Sequence, residues 1–114
     1  HIGDDLTICA GLIAQRYEAL GGDVAYHGKP YPSVYAMCFE TLGMPEPKRV
    51  LGIGDAIRTD VAGAKAAGCD ALFLASGIYV DGFGTPDPKP EAVIAKAKEE
   101  QHPAPDFFMP ALAW

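Results

Sequence analysis

The sequence predicts an α/β fold in which helices flank a parallel sheet, and three observations lead to this prediction. Apolar runs of strand length alternate with stretches of helical periodicity, the pattern of strand-helix-strand units with right-handed crossovers. The run over residues 49–55 is apolar and closed by an acid, as in a parallel strand buried on both faces. With 49% hydrophobic and 21% charged residues over 114 positions, the composition suits one globular domain.

The amino-terminal half is predicted to form two helices and a short strand around a bend. Apolar spacing, caps and the positions of Gly and Pro set the bounds: a helix over 5–20 with Asp4, Asp5 or Thr7 as caps, a strand over 24–26, a bend over 27–30, and a helix from Pro32 to a stop at Gly43. Gly28 and Pro30 flank Lys29, so this lysine lies on the bend.

The carboxyl-terminal half is predicted to contain three strands joined by two helices. In order, these are a strand over 49–55, a helix over 56–67, a strand over 71–75, a Gly/Pro-rich loop after Gly77, a helix over 91–101 and a strand over 107–109. Small residues in the first of these helices allow a close approach to the sheet.

Charge and cysteine usage narrow the possible partners and compartment. Nine Lys and Arg against fifteen Asp and Glu give a net charge of -6, which argues against nucleic acid or an anionic membrane surface as the partner. No apolar run is long enough to span a membrane. The three cysteines, Cys9, Cys38 and Cys69, are too widely spaced for a zinc site or a disulfide framework, so we expect a reducing, cytoplasmic location.

Two carboxylates follow the central predicted strand. Asp55 comes at its carboxyl end, where ligand sites open in parallel sheets, and is a candidate Mg²⁺ ligand. Asp60 could be a second ligand through water, could orient Asp55, the waters of the metal or Lys29, or could cap the following helix. Lys29 could neutralise the oxygens of a phosphoryl group, or it could be a solvated turn residue.

Two segments carry a resemblance to a known family. Gly28-Lys29-Pro30 resembles motif III, and the segment over 54–64, Gly-Asp-Ala-Ile-Arg-Thr-Asp-Val-Ala-Gly-Ala, resembles motif IV of the haloacid dehalogenase-like (HAD) hydrolase superfamily. The similarity is to class IIA, the NagD and p-nitrophenyl phosphatase type, whose large cap domain is inserted before the lysine motif. Cys9-Ala10-Gly11 resembles the stretch where that cap returns to the core.

The resemblance implies a function and a set of site residues. It implies Mg²⁺-dependent hydrolysis of a small phosphorylated metabolite through a phospho-aspartyl intermediate. Lys29 would stabilise that intermediate, Asp55 and Asp60 would form the metal site, and Lys29 and Gly54 would bind the substrate. Residues 1–26 would be the end of the cap and its return to the core, and residues 27–114 the carboxyl-terminal half of a Rossmann-like catalytic core.

The sequence departs from the family pattern at the attacking group. The family's motif I is an Asp-x-Asp at a strand end, and this chain contains no Asp-x-Asp. Since motif I supplies the nucleophile, we assign no nucleophile and expect the chain to be inactive alone, a carboxyl-terminal part lacking the motif I strand and most of the cap. A non-catalytic binding or interaction module that keeps the HAD scaffold is the alternative. A phospho-receiver domain is disfavoured, because receivers place their lysine after their acidic pair.

The missing strand has a structural consequence. In the family's sheet, the motif I strand pairs with the strand that ends at Asp55. Its absence would expose the backbone edge from Val50 to Gly54, so we expect homo-oligomer formation or association through that edge.

Overall fold

The computed structural model describes residues 9–113. Its elements are helix α1 (Ala10–Ala19), helix α2 (Pro32–Thr41), a 3₁₀ turn (Pro47–Arg49), strand β1 (Leu51–Gly54), a π-helical turn (Ile57–Val61), helix α3 (Ala62–Ala66), strand β2 (Asp70–Leu74), helix α4 (Val80–Phe83), helix α5 (Pro90–Glu99) and strand β3 (Phe107–Met109). The candidate caps Asp4, Asp5 and Thr7 of the first predicted helix lie outside the described residues.

The three strands form one parallel sheet in the order β1-β2-β3. Gly54 pairs with Phe73, and Leu74 pairs with Met109, so the strands end at the same rim of the sheet. The predicted α/β fold with a parallel sheet flanked by helices is confirmed. Because the carboxyl ends are level, the residues that follow β1 and β2 meet above that rim.

Three predictions of local structure are corrected. Residues 24–26 do not form the predicted strand, because no strand of the sheet in the described residues lies beside them. Instead, the ring of Tyr26 stacks on that of Tyr31 with their centroids 5.3 Å apart, and the Tyr26 hydroxyl donates a hydrogen bond to Glu18. The helix predicted over 56–67 begins as a π-helical turn before α3. The Gly/Pro-rich loop contains the short helix α4, which ends at Gly84 with a left-handed φ of 67°.

The core lies between the sheet and the segments that follow its strands. Its central side chain is Phe73 on β2, which is fully buried and meets the rings of Tyr79 and Phe83 edge-on. The other buried members of this cluster are Ile57, Val61, Ala64, Cys69, Ala71, Ala75, Val93 and Ala97. Small residues do allow close helix-to-sheet contact: the Cβ of Ala64 on α3 lies where a side chain on Gly52 would begin.

Strand β1 forms an open edge of the sheet. Leu51 and Ile53 are 44% and 47% exposed, so the expectation that this strand is buried on both faces is wrong. Met37 on the neighbouring helix α2 and Leu42, which directly follows that helix, are also exposed. Within the described residues, an apolar surface therefore runs along the free edge of β1 and onto α2.

Helix α1 carries an apolar stripe that no other described element covers. Leu12, Ile13 and Tyr17 are all more than half exposed, and the helix has no buried residue. Like α2 and α5, it has ten residues, which is about 15 Å of helix. Among residues 9–113, no helix has both the length and the apolar character needed to cross a bilayer.

An ion pair joins α3 to the start of β3, and we expect it to give folding a pH dependence. Asp106 accepts hydrogen bonds from Lys65 at 2.7 and 2.8 Å and from the backbone N–H of Ala71 at 2.8 Å. Lys65, and then the Ala71 amide, hold the pKa of the Asp106 carboxyl below its usual range. An acid with a lowered pKa stabilises the folded state above its unfolded-state value, and that contribution is lost as the pH falls through the folded-state value.

Asp106→Asn is therefore expected to be less stable than the native chain near neutral pH. The difference should shrink as the pH falls below about 4, the ordinary carboxyl pKa. Urea unfolding of both proteins between neutral and acidic pH measures this difference, and a gap that does not change with pH would contradict the prediction.

Candidate functional site

The candidate site lies at the rim where β1 and β2 end. Asp55 directly follows β1, and the π-helical turn that carries Asp60 begins two residues later. The predicted site residues Asp55 and Asp60 are thus held by one short segment. The buried side chains of Ile57 and Val61 anchor this segment in the core.

The π-helical turn folds Asp60 back over the end of β1. The N–H of Asp60 and the N–H of Val61 both donate to the carbonyl of Ala56, at 2.8 and 3.2 Å. The Asp60 carboxylate in turn accepts a hydrogen bond from the N–H of Ala56 at 3.0 Å. Asp60 lies inside this turn rather than before it, and its carboxylate reaches back to the backbone N–H at the start of the turn.

Lys29 meets Asp60 from the other side. Its Nζ donates a short hydrogen bond to Oδ1 of Asp60, while Oδ2 accepts from Ala56. Asp60 is 8% exposed and Lys29 55% exposed, so a buried carboxylate is compensated by a half-exposed cation. The structure therefore brings together Lys29 and Asp60, which are 31 positions apart, and Asp60 orients the lysine, as one of the sequence alternatives proposed.

Gly54 leaves the space that Asp60 occupies. A Cβ on Gly54 would lie 2.1 Å from Cγ and 2.2 Å from Oδ2 of Asp60, closer than any real contact. A side chain at this position would therefore displace the carboxylate. This contact explains why glycine is needed at the end of β1; the prediction that Gly54 binds substrate stays a prediction.

Asp55 is held by the loop that follows β2. The Oδ2 of Asp55 accepts a hydrogen bond from the N–H of Ile78 at 3.2 Å. A Cβ on Gly77 would lie 2.2 Å from the Cβ of Asp55. Neither Gly77 nor Ile78 was predicted from the sequence to be a site residue. A glycine in a loop after a strand is common, and the contact depends on the register of β1 against β2.

Gly77→Ala is expected to displace the Asp55 carboxylate and to break its hydrogen bond to Ile78. Forcing a methyl group into occupied space should lower the free energy of unfolding by about 1 to 3 kcal/mol. Urea unfolding and hydrogen exchange at the Ile78 amide measure the two effects.

Gly82→Ala is the matched control for this variant. Gly82 lies in α4, and nothing stands within 4 Å of its Cβ position. Because alanine is favoured over glycine in a helix, we expect no loss, or a gain of about 0.4 to 1 kcal/mol. Unchanged protection of the Ile78 amide in Gly77→Ala would show that the loop moves away without disturbing Asp55.

A small cleft of about 160 Å³ opens beside the ion pair. Its walls include Lys29, Asp60, Tyr35 and Ile53. Burial, and then the charge of Asp60, raise the pKa of the Tyr35 hydroxyl, so this group stays protonated around neutral pH. The cleft holds the volume of about five waters, and a lysine ammonium and a neutral phenol line it.

The carboxylate oxygens that protein groups leave free determine which ligands a metal ion could use at this site. Both carboxylate oxygens of Asp60 already bond to protein groups, whereas within residues 9–113 the only hydrogen bond to Asp55 reaches Oδ2. No group of three or more His, Cys, Asp or Glu side chains in the described part could hold a metal ion. Mg²⁺ commonly binds proteins through one or two carboxylates, with water and phosphate oxygens completing its shell, so Asp55 fits as one such ligand. The metal-ligand predictions for Asp55 and Asp60 both stay predictions.

A second cleft is lined in part by the loop that follows β2. It has a volume of about 450 Å³ and is lined by Arg58, Ile78, Tyr79, Glu100 and His102. The Tyr79 hydroxyl donates to Glu100 at 2.6 Å, and burial followed by this hydrogen bond raises the pKa of Tyr79 to about 12. Tyr79 therefore remains protonated, and it ties the loop after β2 to the end of α5.

Known proteins show similarity along most of the chain. The phosphoglycolate phosphatase of Salmonella paratyphi A is 40% identical over 58 residues, which are 51% of this chain and 22% of that protein. The crystal structure of a haloacid dehalogenase-like family hydrolase from Brucella suis 1330 superposes with a TM-score of 0.67 and 29% identity, over 97% of this chain and 40% of that one. The p-nitrophenyl phosphatase from Archaeoglobus fulgidus gives a TM-score of 0.65 at 24% identity, over 87% and 34% of the two chains, and shows the shared fold.

The chain is much shorter than these relatives: it spans about a fifth of the phosphoglycolate phosphatase and between a third and two fifths of the two structures. The family profile that matches covers residues 26–113, which include the lysine bend, both aspartates and the whole sheet. By this match, the chain belongs to the HAD-hydrolase-like family.

Proposed function

We propose that this chain supplies the lysine and the metal-binding aspartate of a Mg²⁺-dependent phosphatase that acts on a small phosphate ester through a phospho-aspartyl intermediate. The observation that carries the proposal is the convergence of Lys29 with the Asp55–Asp60 segment at one rim of the sheet. The phosphatases among its relatives support the reaction class.

Each residue has a distinct role in this proposal. Asp55 offers a carboxylate oxygen to Mg²⁺, which would neutralise phosphate oxygens. Lys29 supplies a fixed positive charge for the transferred phosphoryl group, because Asp60 holds its amine in place. Gly54 leaves the space in which the Asp60 carboxylate lies. The attacking carboxylate comes from another segment, since the sequence holds no Asp-x-Asp.

We also propose where that segment binds. The free edge of β1 offers unpaired backbone groups beside Leu51 and Ile53, and a parallel strand added there would end next to Asp55. We assign this edge to an amino-terminal half of the same hydrolase, because the relatives are more than twice as long as this chain. Light scattering during size exclusion tests the other occupant, a second copy: a stable dimer of this chain would show that copies can also cover the edge.

The activity test compares this chain with a longer polypeptide that includes the sequence encoded upstream of His1. We expect Mg²⁺-dependent release of p-nitrophenol from p-nitrophenyl phosphate by the longer polypeptide and none by this chain. Asp55→Asn in the longer polypeptide should abolish the activity. Turnover by the 114-residue chain itself would contradict the account of the nucleophile, and a longer polypeptide that is folded but inactive would favour a non-catalytic module.

The metal ligand can be tested on this chain alone. Mn²⁺ replaces Mg²⁺ at oxygen sites and broadens the NMR signals of nearby amides. Broadening should centre on Asp55 and Ile78 and should disappear in Asp55→Asn. Asp70→Asn is the matched control, since Asp70 is a partly exposed aspartate at the opposite end of the sheet, paired with Lys48.

A further inference from the structure

Tyr35 packs closely against α3, the helix that follows the segment carrying Asp55 and Asp60. A Cβ on Gly63 of α3 would lie 2.5 Å from the Tyr35 hydroxyl oxygen, 2.9 Å from its Cε2 and 3.0 Å from Cα of Pro30. The phenol edge and the backbone of the bend therefore rest on the same bare face of Gly63. Three elements meet at this point: the lysine bend, α2 and α3.

This meeting point includes Pro30, which directly follows Lys29 in the chain. The lysine side chain is half exposed and flexible, and holding such a chain in one conformation costs entropy of up to about 2 kcal/mol. Asp60, by contrast, is fixed by the Ala56 amide. A backbone held at a constant distance from the π-helical turn limits the conformations open to the lysine and so favours the contact of its amine with Asp60.

We propose that Tyr35 is a positioning residue for Lys29: its ring, seated on Gly63 beside Pro30, holds the lysine bend at the distance from which the amine reaches Asp60. This inference rests on the proposed function, because it gives Tyr35 a part in presenting the lysine to a phosphoryl group. The geometry itself, however, is a property of this chain and can be tested without catalysis.

The test measures how fast acetic anhydride acetylates Lys29, relative to Lys89 in the same chain. Lys89 is exposed and takes no part in the ion pairs of the described residues, so it serves as an internal reference. An amine held by Asp60 reacts more slowly than a solvated one. In Tyr35→Leu we expect the relative rate at Lys29 to rise roughly fivefold, the factor for losing a partly exposed ion pair.

Two further variants separate positioning from general packing. Tyr35→Phe keeps the ring on Gly63 and should preserve the slow native rate at Lys29. Phe39→Leu alters another half-buried aromatic residue of α2 that packs on the core, so it should lower stability while the Lys29 rate stays native. Urea unfolding confirms in each case that the protein is folded when it is labelled.

Gly63→Ala provides a second, independent test of the inference. In the native background, the added methyl group should raise the Lys29 rate as Tyr35→Leu does. In the Tyr35→Leu background the added rise should be smaller, because the collision with the ring is gone and only the 3.0 Å approach to Cα of Pro30 remains. A native rate in Tyr35→Leu, or an equal rise in Phe39→Leu, would overturn the inference; failure of the p-nitrophenyl phosphate assay would instead reject the proposed function.

Discussion

Gly54→Ala is expected to lower the free energy of unfolding by about 3 kcal/mol, because the added methyl group and the Asp60 carboxylate need the same space. The buried segment that follows β1 restricts the movement of both groups. If Asp60 moves, it loses the Ala56 amide and Lys29 together, so a buried charge is left with fewer partners. Urea unfolding measures the loss, and faster acetylation of Lys29 reports the broken ion pair.

Gly52→Ala is the control, two residues earlier on the same strand. A methyl group there would meet the Cβ of Ala64 at 2.5 Å, and its three nearest atoms belong to Ala64 and the Asp70 carbonyl, not to Asp60 or Lys29. We therefore expect a comparable loss of stability with no change at Lys29. If Gly54→Ala leaves Lys29 as slow to acetylate as in the native chain, the carboxylate has not been displaced and the explanation for Gly54 is wrong.

Lys29→Met is expected to have a large effect of a different kind. The substitution keeps much of the apolar stem but removes the cation from a carboxylate that is 8% exposed, which should cost about 2 kcal/mol of folding stability. In the longer polypeptide of the activity test, it should also reduce kcat by about 10² to 10³, since a fixed positive charge near the transferred group would be gone.

Lys48→Met is the matched control for this variant. Lys48 also pairs with an aspartate, Asp70 at 2.6 Å, but its side chain is 69% exposed and that of Asp70 33% exposed. Because exposed ion pairs contribute little to stability, the loss should be smaller than in Lys29→Met, and kcat should be unchanged. Equal losses in the two variants would show that burial of Asp60 does not strengthen its dependence on lysine.

The elements predicted correctly from the sequence are those bounded by Gly or Pro and those with a long apolar pattern. Strand β3 lies where the pattern placed it, and α2 begins at Pro32 as predicted, because proline suits the first turn of a helix. The isolated stretch over 24–26 has a strand-like composition, but a strand needs a neighbour, and composition does not show whether one is present.

The site was predicted only in part, for a related reason. Lys29 and Asp55 were found because each follows a glycine at a predicted bend or strand end, and Asp60 was found because it follows Asp55 within the segment that resembles motif IV. Gly77 and Tyr35 were missed, because their roles depend on contacts with Asp55 and Gly63 that only the packed structure creates. The π-helical turn was also missed, since helical periodicity does not distinguish it from an α-helix.

The two oxygens of Asp60 reach separate parts of the chain, one the peptide at Ala56 and the other the lysine bend. The length of that side chain therefore sets the gap between them. Any redesign of this site would have to leave position 60 as aspartate: glutamate carries the same charge, but its extra methylene would displace the carboxylate from one of its two partners.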